Sequence, residues 1–207
     1  MNIQENVSLA PFNTFGIDVR ARYFAVAEST ADIEAADRLA FSEGIPLHVL
    51  GAGSNVVFVG DVPGLTLHIG LRGRLCADGH VTAAAGENWD QLIAFASGQG
   101  AYGLENLSMI PGTVGAAPVQ NIGAYGAQLS DSFVRLTAWD LHQHTFIEFD
   151  AAACEFGYRN SIFKSSARGR YIITEVTMAL SGSFEPDLSH PDVAELTGPN
   201  PDAFAVR

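Results

Sequence analysis

LENLSMIPGTVGAAPVQNIGAYG, residues Leu104 to Gly126, is the stretch on which the reading of this chain turns. It places Gly112, Gly115, Gly123 and Gly126 beside Pro111, Pro118 and the polar pair Gln120-Asn121, and it offers no long apolar face. Clustered glycine signals tight backbone turns or the close approach of a ligand, because glycine loses more conformational freedom on folding than other residues. A loop this long without a regular pattern is either functional or disordered. The interleaved Met109, Ile110, Val114, Val119, Ile122 and Tyr125 argue for order. A close-packed irregular loop and a ligand-binding loop both remain open on this stretch alone.

Upstream, a first strand is expected over Ala21 to Ala27. Ser29 and Asp32 stand at capping-box spacing, and Ile33, Ala36 and Ala40 recur at helical intervals up to Glu43-Gly44, which predicts a helix. A short strand, Pro46 to Leu50, then runs into Gly51-Ala52-Gly53-Ser54-Asn55, and Val56 to Val59 reads as a return to strand. Val56 occupies the third glycine position of a dinucleotide fingerprint, which argues against a Rossmann site. What remains is either a structural turn or an anion nest of amide N–H groups, aided by the Ser54 hydroxyl and Asn55 amide.

Further strands are expected at Leu65 to Ile69 and His80 to Ala85, as a meander, and Asn88 caps a helix carrying Trp89, Leu92, Ile93 and Ala96 on one face. Trp89 reads as core. Val134 to Leu141 and Thr145 to Phe149 form an expected hairpin whose connection holds His142 and His144; no third ligand accompanies them, so a solvated turn is preferred to a metal site. A short helix at Asp150 to Glu155 leads to GYRNSIFK at 157 to 164, and Tyr171 to Leu180 is the last expected strand. Past Ser181, Pro186, Pro191, Pro199 and Pro201 interrupt any regular pattern.

Composition narrows the function classes. A net charge of −12, from 23 acidic against 11 basic residues, lacks the clustered Lys and Arg of a nucleic-acid binder. Lys164 is the lone lysine; arginine dominance fits either codon bias or selection for planar anion recognition. Cys76 and Cys154 have no metal-type spacing and are expected as free thiols. No apolar run reaches spanning length and the N-terminus shows no signal-peptide pattern, so no membrane association and a cytoplasmic location are expected. The order of elements gives an α+β fold in two lobes: 1–70, 71–182, and a remainder at 183–207 that reads as a linker or the start of a further, truncated domain.

Taken in order, NTFGI at 13 to 17, GAGSNVVF at 51 to 58, AAGENW at 84 to 89, IPGTVGAAPVQNIGAYG at 110 to 126 and FGYRNSIFK at 156 to 164 resemble the UDP-N-acetylenolpyruvoylglucosamine reductase (UDP-N-acetylmuramate dehydrogenase) family, over nearly everything to Leu180. Ala84 stands in place of the family's first glycine in GAGENW. The resemblance implies the FAD-binding fold of the vanillyl-alcohol oxidase and p-cresol methylhydroxylase type. It also implies non-covalent FAD, since neither glycine loop holds a histidine, and NADPH as reductant. The implied reaction is the reduction of a UDP-sugar enolpyruvyl ether in peptidoglycan synthesis.

By the same resemblance, Gly51, Gly53, Ser54, Asn55 and Val56 would hold the pyrophosphate. Ile110, Pro111, Gly112, Gly115, Ala116, Asn121, Ile122 and Gly123 would line the flavin. Arg159 would stabilise the charge that develops toward the substrate carboxylate, with Tyr125 and Tyr158 on the substrate side. Read without the family, Arg159 is a surface salt-bridge arginine. The family's protonating serine lies in a GSFFKNP-like segment, and Ser181-Gly182-Ser183-Phe184 does not continue as one. Impaired turnover is therefore expected, with an exposed apolar patch around Ile122, Tyr125 and Tyr158. Two alternatives stay open: a flavoprotein without this activity, and a non-flavin sugar-nucleotide binding module.

Overall fold

The computed structural model describes residues 1–207. Strand β1 (Ile3–Ser8) precedes β2 (Arg20–Ala27), helix α1 (Thr30–Glu43), β3 (Leu47–Leu50) and β4 (Val62–Ile69). These strands form one sheet in the order β1-β2-β4-β3, with β4 parallel to both β2 and β3. The expected meander is therefore replaced, in this half, by crossovers. Helix α1 returns the chain between β2 and β3, and residues 51–61 carry it from β3 to β4. The Ser29 hydroxyl accepts from the Asp32 amide while Asp32 caps Ser29 in return, so the sequence signal for the start of α1 holds.

The second sheet follows: β5 (Arg74–Ala77), β6 (His80–Ala84), helix α2 (Trp89–Gly98), and, after the long glycine-rich segment, β7 (Gly123–Ala124), β8 (Ala127–Gln128), β9 (Phe133–Asp140), β10 (Thr145–Asp150), α3 (Ala151–Cys154) and β11 (Tyr171–Ala179). Its order is β10-β9-β11-β6-β5, antiparallel throughout, while β7 and β8 pair separately. The Asn88 side chain accepts from the Gln91 amide and fixes the start of α2.

Three expectations are corrected. Val56 to Val59 is not a strand: β4 already fills the place between β2 and β3, so this run has no ladder partner. Val57 and Val59 instead face solvent, while Val56 and Phe58 pack beneath on the cluster of Leu9, Ala21, Phe24 and Leu50. Ile122 does not belong to an exposed patch; it is 6% exposed and packs in the core of the second sheet, whereas Tyr125 and Tyr158 are exposed as expected. The proline-rich tail is not wholly irregular, because Pro191 opens α4 (Pro191–Thr197), where its missing N–H costs nothing, and α5 (Ala203–Val206) follows.

The two sheets share a core. Ala25, Ile33, Leu65 and Leu67 of the first half pack in one cluster with Ala85, Trp139 and Ile172 of the second. At its rim, buried Asp37 of α1 accepts from Trp139 Nε1 at 2.7 Å and contacts His144 Nδ1 at 2.8 Å. His144 thus lies in an exposed turn, as expected, yet reaches back across the halves to a specific partner. No helix is long and apolar enough to cross a membrane.

Candidate functional site

The Leu104–Gly126 stretch is ordered by short 3₁₀ turns at Glu105–Leu107, Val114–Ala116 and Pro118–Gln120. Fully buried Trp89 anchors its start by donating from Nε1 to the Leu107 carbonyl at 2.9 Å. Its middle is zipped to the end of β6: Val114 N donates to Glu87 O and Gly115 N to Ala85 O, each at 2.9 Å. Glycine is required at 115, where a Cβ would lie 2.5 Å from the Ala85 Cβ.

This segment meets the first glycine loop face to face, although they are far apart in sequence. The Ser54 hydroxyl donates to the Pro111 carbonyl at 3.0 Å, and Asn55 Nδ2 donates to Gln120 Oε1 at 3.0 Å. A Cβ on Gly51 would sit 2.9 Å from Thr113 Oγ1, and at Gly53 (φ +67°) it would strike the Phe12 carbonyl at 2.0 Å. The amides of Ala52, Gly53, Ser54 and Asn55 donate to nothing within the chain. Successive unclaimed N–H groups in a glycine turn are the chemistry a phosphate needs.

The expected flavin-lining residues divide by how they are used. Pro111 and Gly112 border the first loop, with Gly112 in a left-handed conformation (φ +147°) opposite Ser54. Ile110 is half-buried, and the amides of Gly115 and Ala116 are already committed to Ala85 and Thr113. Ile122 and Asn121 turn inward. Asn121, 1% exposed, accepts from Ser130 N at 2.9 Å and donates from Nδ2 to Gln128 Oε1, Ser130 Oγ and Gly157 O at 3.1 to 3.2 Å.

That network ties the segment to the turn bearing Arg159, where Gly157 N donates to Asn160 O at 3.0 Å and Asn160 N to Gly157 O at 3.1 Å. Arg159 itself has φ +53°, an uncommon conformation for a non-glycine residue. Its guanidinium lies over the exposed Tyr158 ring, 5.6 Å from the centroid, and a Cβ on Gly123 would fall 2.8 Å from its Nη1. None of the salt bridges of the chain uses it, so a guanidinium fork is left for an anion from outside.

Tyr125 (φ +49°) stands edge-on to His190 at 5.3 Å and borders a cavity of about 430 Å³ between Glu105–Met109 and α4–α5. Thr113, Gln120 and Asn106 went unselected in the sequence. Gln120 bridges the two loops, Thr113 lies against Gly51, and Asn106 Nδ2 donates to the Tyr125 carbonyl at 3.1 Å. Their signal was polarity within a glycine-rich run, which does not say which chain they meet.

Residues 21–147 match the model of a family described as FAD binding domain. The chain belongs to that family. It is 46% identical to the UDP-N-acetylenolpyruvoylglucosamine reductase of Cupriavidus pinatubonensis, over all of this chain and 63% of that protein, and 49% identical to that of Pseudomonas aeruginosa, over 87% of this chain and 55% of that protein. The chain therefore spans somewhat over half the length of these relatives. Among solved structures, the UDP-N-acetylenolpyruvylglucosamine reductase of Thermus caldophilus superposes with a TM-score of 0.72 at 26% identity, over 87% of this chain and 63% of that one. The 6-hydroxy-D-nicotine oxidase of Arthrobacter nicotinovorans superposes with a TM-score of 0.62 at 18% identity, over 78% and 37%, which is likeness of fold. The fold is thus the α+β FAD-binding type of the vanillyl-alcohol oxidase and p-cresol methylhydroxylase group, as the motifs implied.

Proposed function

We propose that this chain is the cofactor-holding part of a cytoplasmic UDP-N-acetylenolpyruvoylglucosamine reductase, which reduces a UDP-sugar enolpyruvyl ether with NADPH in peptidoglycan synthesis. The observation that carries the reading is the pairing of two features, one at each glycine loop. Unclaimed amides at Ala52–Asn55 lie at the first loop, and an arginine without an ion-pair partner lies at the far end of the second. When bound, FAD supplies hydride transfer.

The protein's share is binding and electrostatics. The Ala52–Asn55 amides would hold the pyrophosphate without covalent attachment, with Gly51 and Val56 flanking them. Pro111 and Gly112 would border the flavin side, with Ile110, Gly115, Ala116 and Gly123 along the same wall and Asn121 and Ile122 supporting it from within. The Arg159 guanidinium would donate two parallel hydrogen bonds to the substrate carboxylate, where charge accumulates as the enol ether is reduced. Tyr125 and Tyr158 would flank that carboxylate. The 207 residues contain no GSFFKNP-like segment to deliver a proton to the substrate carbon. General acid catalysis contributes roughly 10²- to 10⁴-fold, so slow turnover is the expected behaviour of these residues alone.

The test is to load the purified chain with FAD, reduce it anaerobically with NADPH, and add the enolpyruvyl UDP-sugar in a stopped-flow spectrometer. Bleaching of the flavin band by NADPH, slow reoxidation by substrate, and slower reoxidation still in Arg159→Ala are expected. Gly53→Ala should lose the yellow colour altogether, since its Cβ meets the Phe12 carbonyl. A chain that stays colourless with excess FAD would sink the proposal.

A further inference from the structure

The second loop's partner, the Gly51–Asn55 cradle, carries an electrostatic puzzle. Neither residues 51–61 nor residues 110–121 contain a basic side chain, and the whole chain carries a net charge of −12. A pyrophosphate dianion seated there would meet amide dipoles and no cation from either loop, within a protein whose overall field repels it.

His68 lies at the base of this cradle. On β4 it pairs in register with Leu50, the residue that leads into Gly51, and on its other side with Val26 of β2. Its ring is stacked on Phe24 (centroids 6.4 Å apart, 18° between planes) and lies 5.2 Å from Phe12, the residue whose carbonyl closes on Gly53. The half-buried imidazole faces the carbonyls of Leu50 and Gly51, and its Nδ1 is buried with no hydrogen-bond partner. An orphaned buried nitrogen of this kind calls for an explanation.

Burial disfavours the charged ring and holds its pKa below the ordinary histidine value; the two carbonyls act in the opposite sense, and the Arg72 cation adds to the lowering. The neighbours in register on β2 and β3, Val26 and Leu50, are apolar, as are Phe12 and Phe24. The other charged or titratable groups on these strands are Arg20, Arg22 and Tyr23, all earlier than Phe24 on β2, and His48, which pairs with Thr66 rather than with His68. Among the groups packed on the cradle's base, His68 is therefore the one that can change charge near neutral pH.

Resting on the proposed FAD site, we infer that binding of FAD at the glycine cradle is coupled to the uptake of one proton by His68, which supplies a positive charge that neither glycine loop carries. The imidazole is neutral in the empty cradle and becomes imidazolium when the pyrophosphate arrives. Linkage then requires FAD affinity to fall as pH rises through the range between the free and bound values, by up to about tenfold per unit for one linked proton.

Isothermal titration with FAD, in PIPES and in Tris at about pH 7, separates the possibilities, because a proton taken up from the buffer adds that buffer's ionisation heat. Different apparent heats in the two buffers, an FAD-induced upfield-to-downfield change of the His68 Cε1–H resonance at constant pH, and loss of both the buffer effect and the pH slope in His68→Gln are expected. His48→Gln should keep them. Equal heats in both buffers, or an His68 resonance that titrates identically with and without FAD, would overturn the inference while leaving the FAD site intact. The resonance is read on the unaltered chain, so that arm stands even where His68→Gln folds poorly. No FAD heat at all would overturn the site and the coupling together.

Discussion

Replacing Asn121 with alanine removes the side chain that fastens the glycine-rich segment to the Arg159 turn. Asn121 Oδ1 accepts from a backbone N–H at Ser130, which fixes the amide's orientation and points Nδ2 at Gly157 O, Gln128 and Ser130. In the alanine variant the Ser130 N–H loses its partner, while the Gly157 carbonyl keeps the Asn160 N–H. The stranded Ser130 N–H costs about 1–3 kcal/mol, and the lower end applies because Gln128 and Ser130 are half-exposed and water can enter. The backbone adds a second cost: Asn121 has φ +44°, and alanine tolerates the left-handed region worse than asparagine by roughly 1 kcal/mol. The sum is about 2 kcal/mol, or a fall in Tm of about 4–8 °C for a chain of this size. Urea unfolding followed by tryptophan fluorescence and far-ultraviolet circular dichroism, at unchanged m-value, measures it. Asn121→Gly separates the two costs, because glycine relieves the backbone strain and should recover about 1 kcal/mol of the loss. An alanine variant within about 0.5 kcal/mol of the parent, or a glycine variant no better than alanine, would refute the reasoning.

Asp140, buried at the end of β9, is held at about 2 by its hydrogen bonds from Arg170, aided by the His142 and Gln143 amides, despite the opposing effect of burial. A carboxylate whose folded pKa is depressed stabilises fully above its unfolded value of about 4 and loses that contribution as pH falls through its folded value. Asp140→Asn should therefore be less stable than the parent at neutral pH, and the gap should close between about pH 4 and pH 2; a gap independent of pH in urea titrations would contradict this. Burial, with a smaller contribution from Asp150, pushes the Cys154 thiol up to about 12, while Cys76 on the edge strand is half-buried. Ellman's reagent should modify Cys76 in the native chain and reach Cys154 only after denaturant is added; two thiols reacting at the same rate natively would show the core to be looser than described.

The elements legible in the sequence were those whose cause is local. Ser29 with Asp32, and Asn88, announce their helices because a cap is satisfied within one turn of chain. Strand β1 was not legible: Ile3–Ser8 is an edge strand exposed over most of its length, so it carries no alternation of apolar residues. Val56 to Val59 failed for the opposite reason, having strand chemistry but no free ladder to join. The site was legible as composition and not as geometry. The glycines named both loops, yet the bonds that bring them together join Ser54 to Pro111 and Asn55 to Gln120, which no local pattern encodes. Asn121 and Ile122 shared the polar-apolar pattern of a lining loop, and only the three-dimensional pairing of Asn121 with Ser130 and Gly157, and the burial of Ile122 in the core, show them turned inward.

The same geometry holds the amides of the proposed cradle in place. An N–H nest binds an anion well only where its groups are already oriented, since ordering them on binding costs about 1–2 kcal/mol per residue. Gly53 is fixed from below, its carbonyl accepting from Thr14 N at 3.3 Å and its missing Cβ leaving room for the Phe12 carbonyl. Phe12 leads into Asn13, whose buried side chain bonds both the Leu9 and Ile17 carbonyls and holds that brace rigid. From above, Ser54 and Asn55 are tied to the second loop. The spacing of the two loops is in turn set by the shared apolar cluster and by Asp37, which joins α1 to Trp139 and His144 on the far sheet. Helix α1 therefore does more than cross over from β2 to β3: by anchoring the second sheet it fixes how far the Pro111–Gln120 wall stands from the cradle.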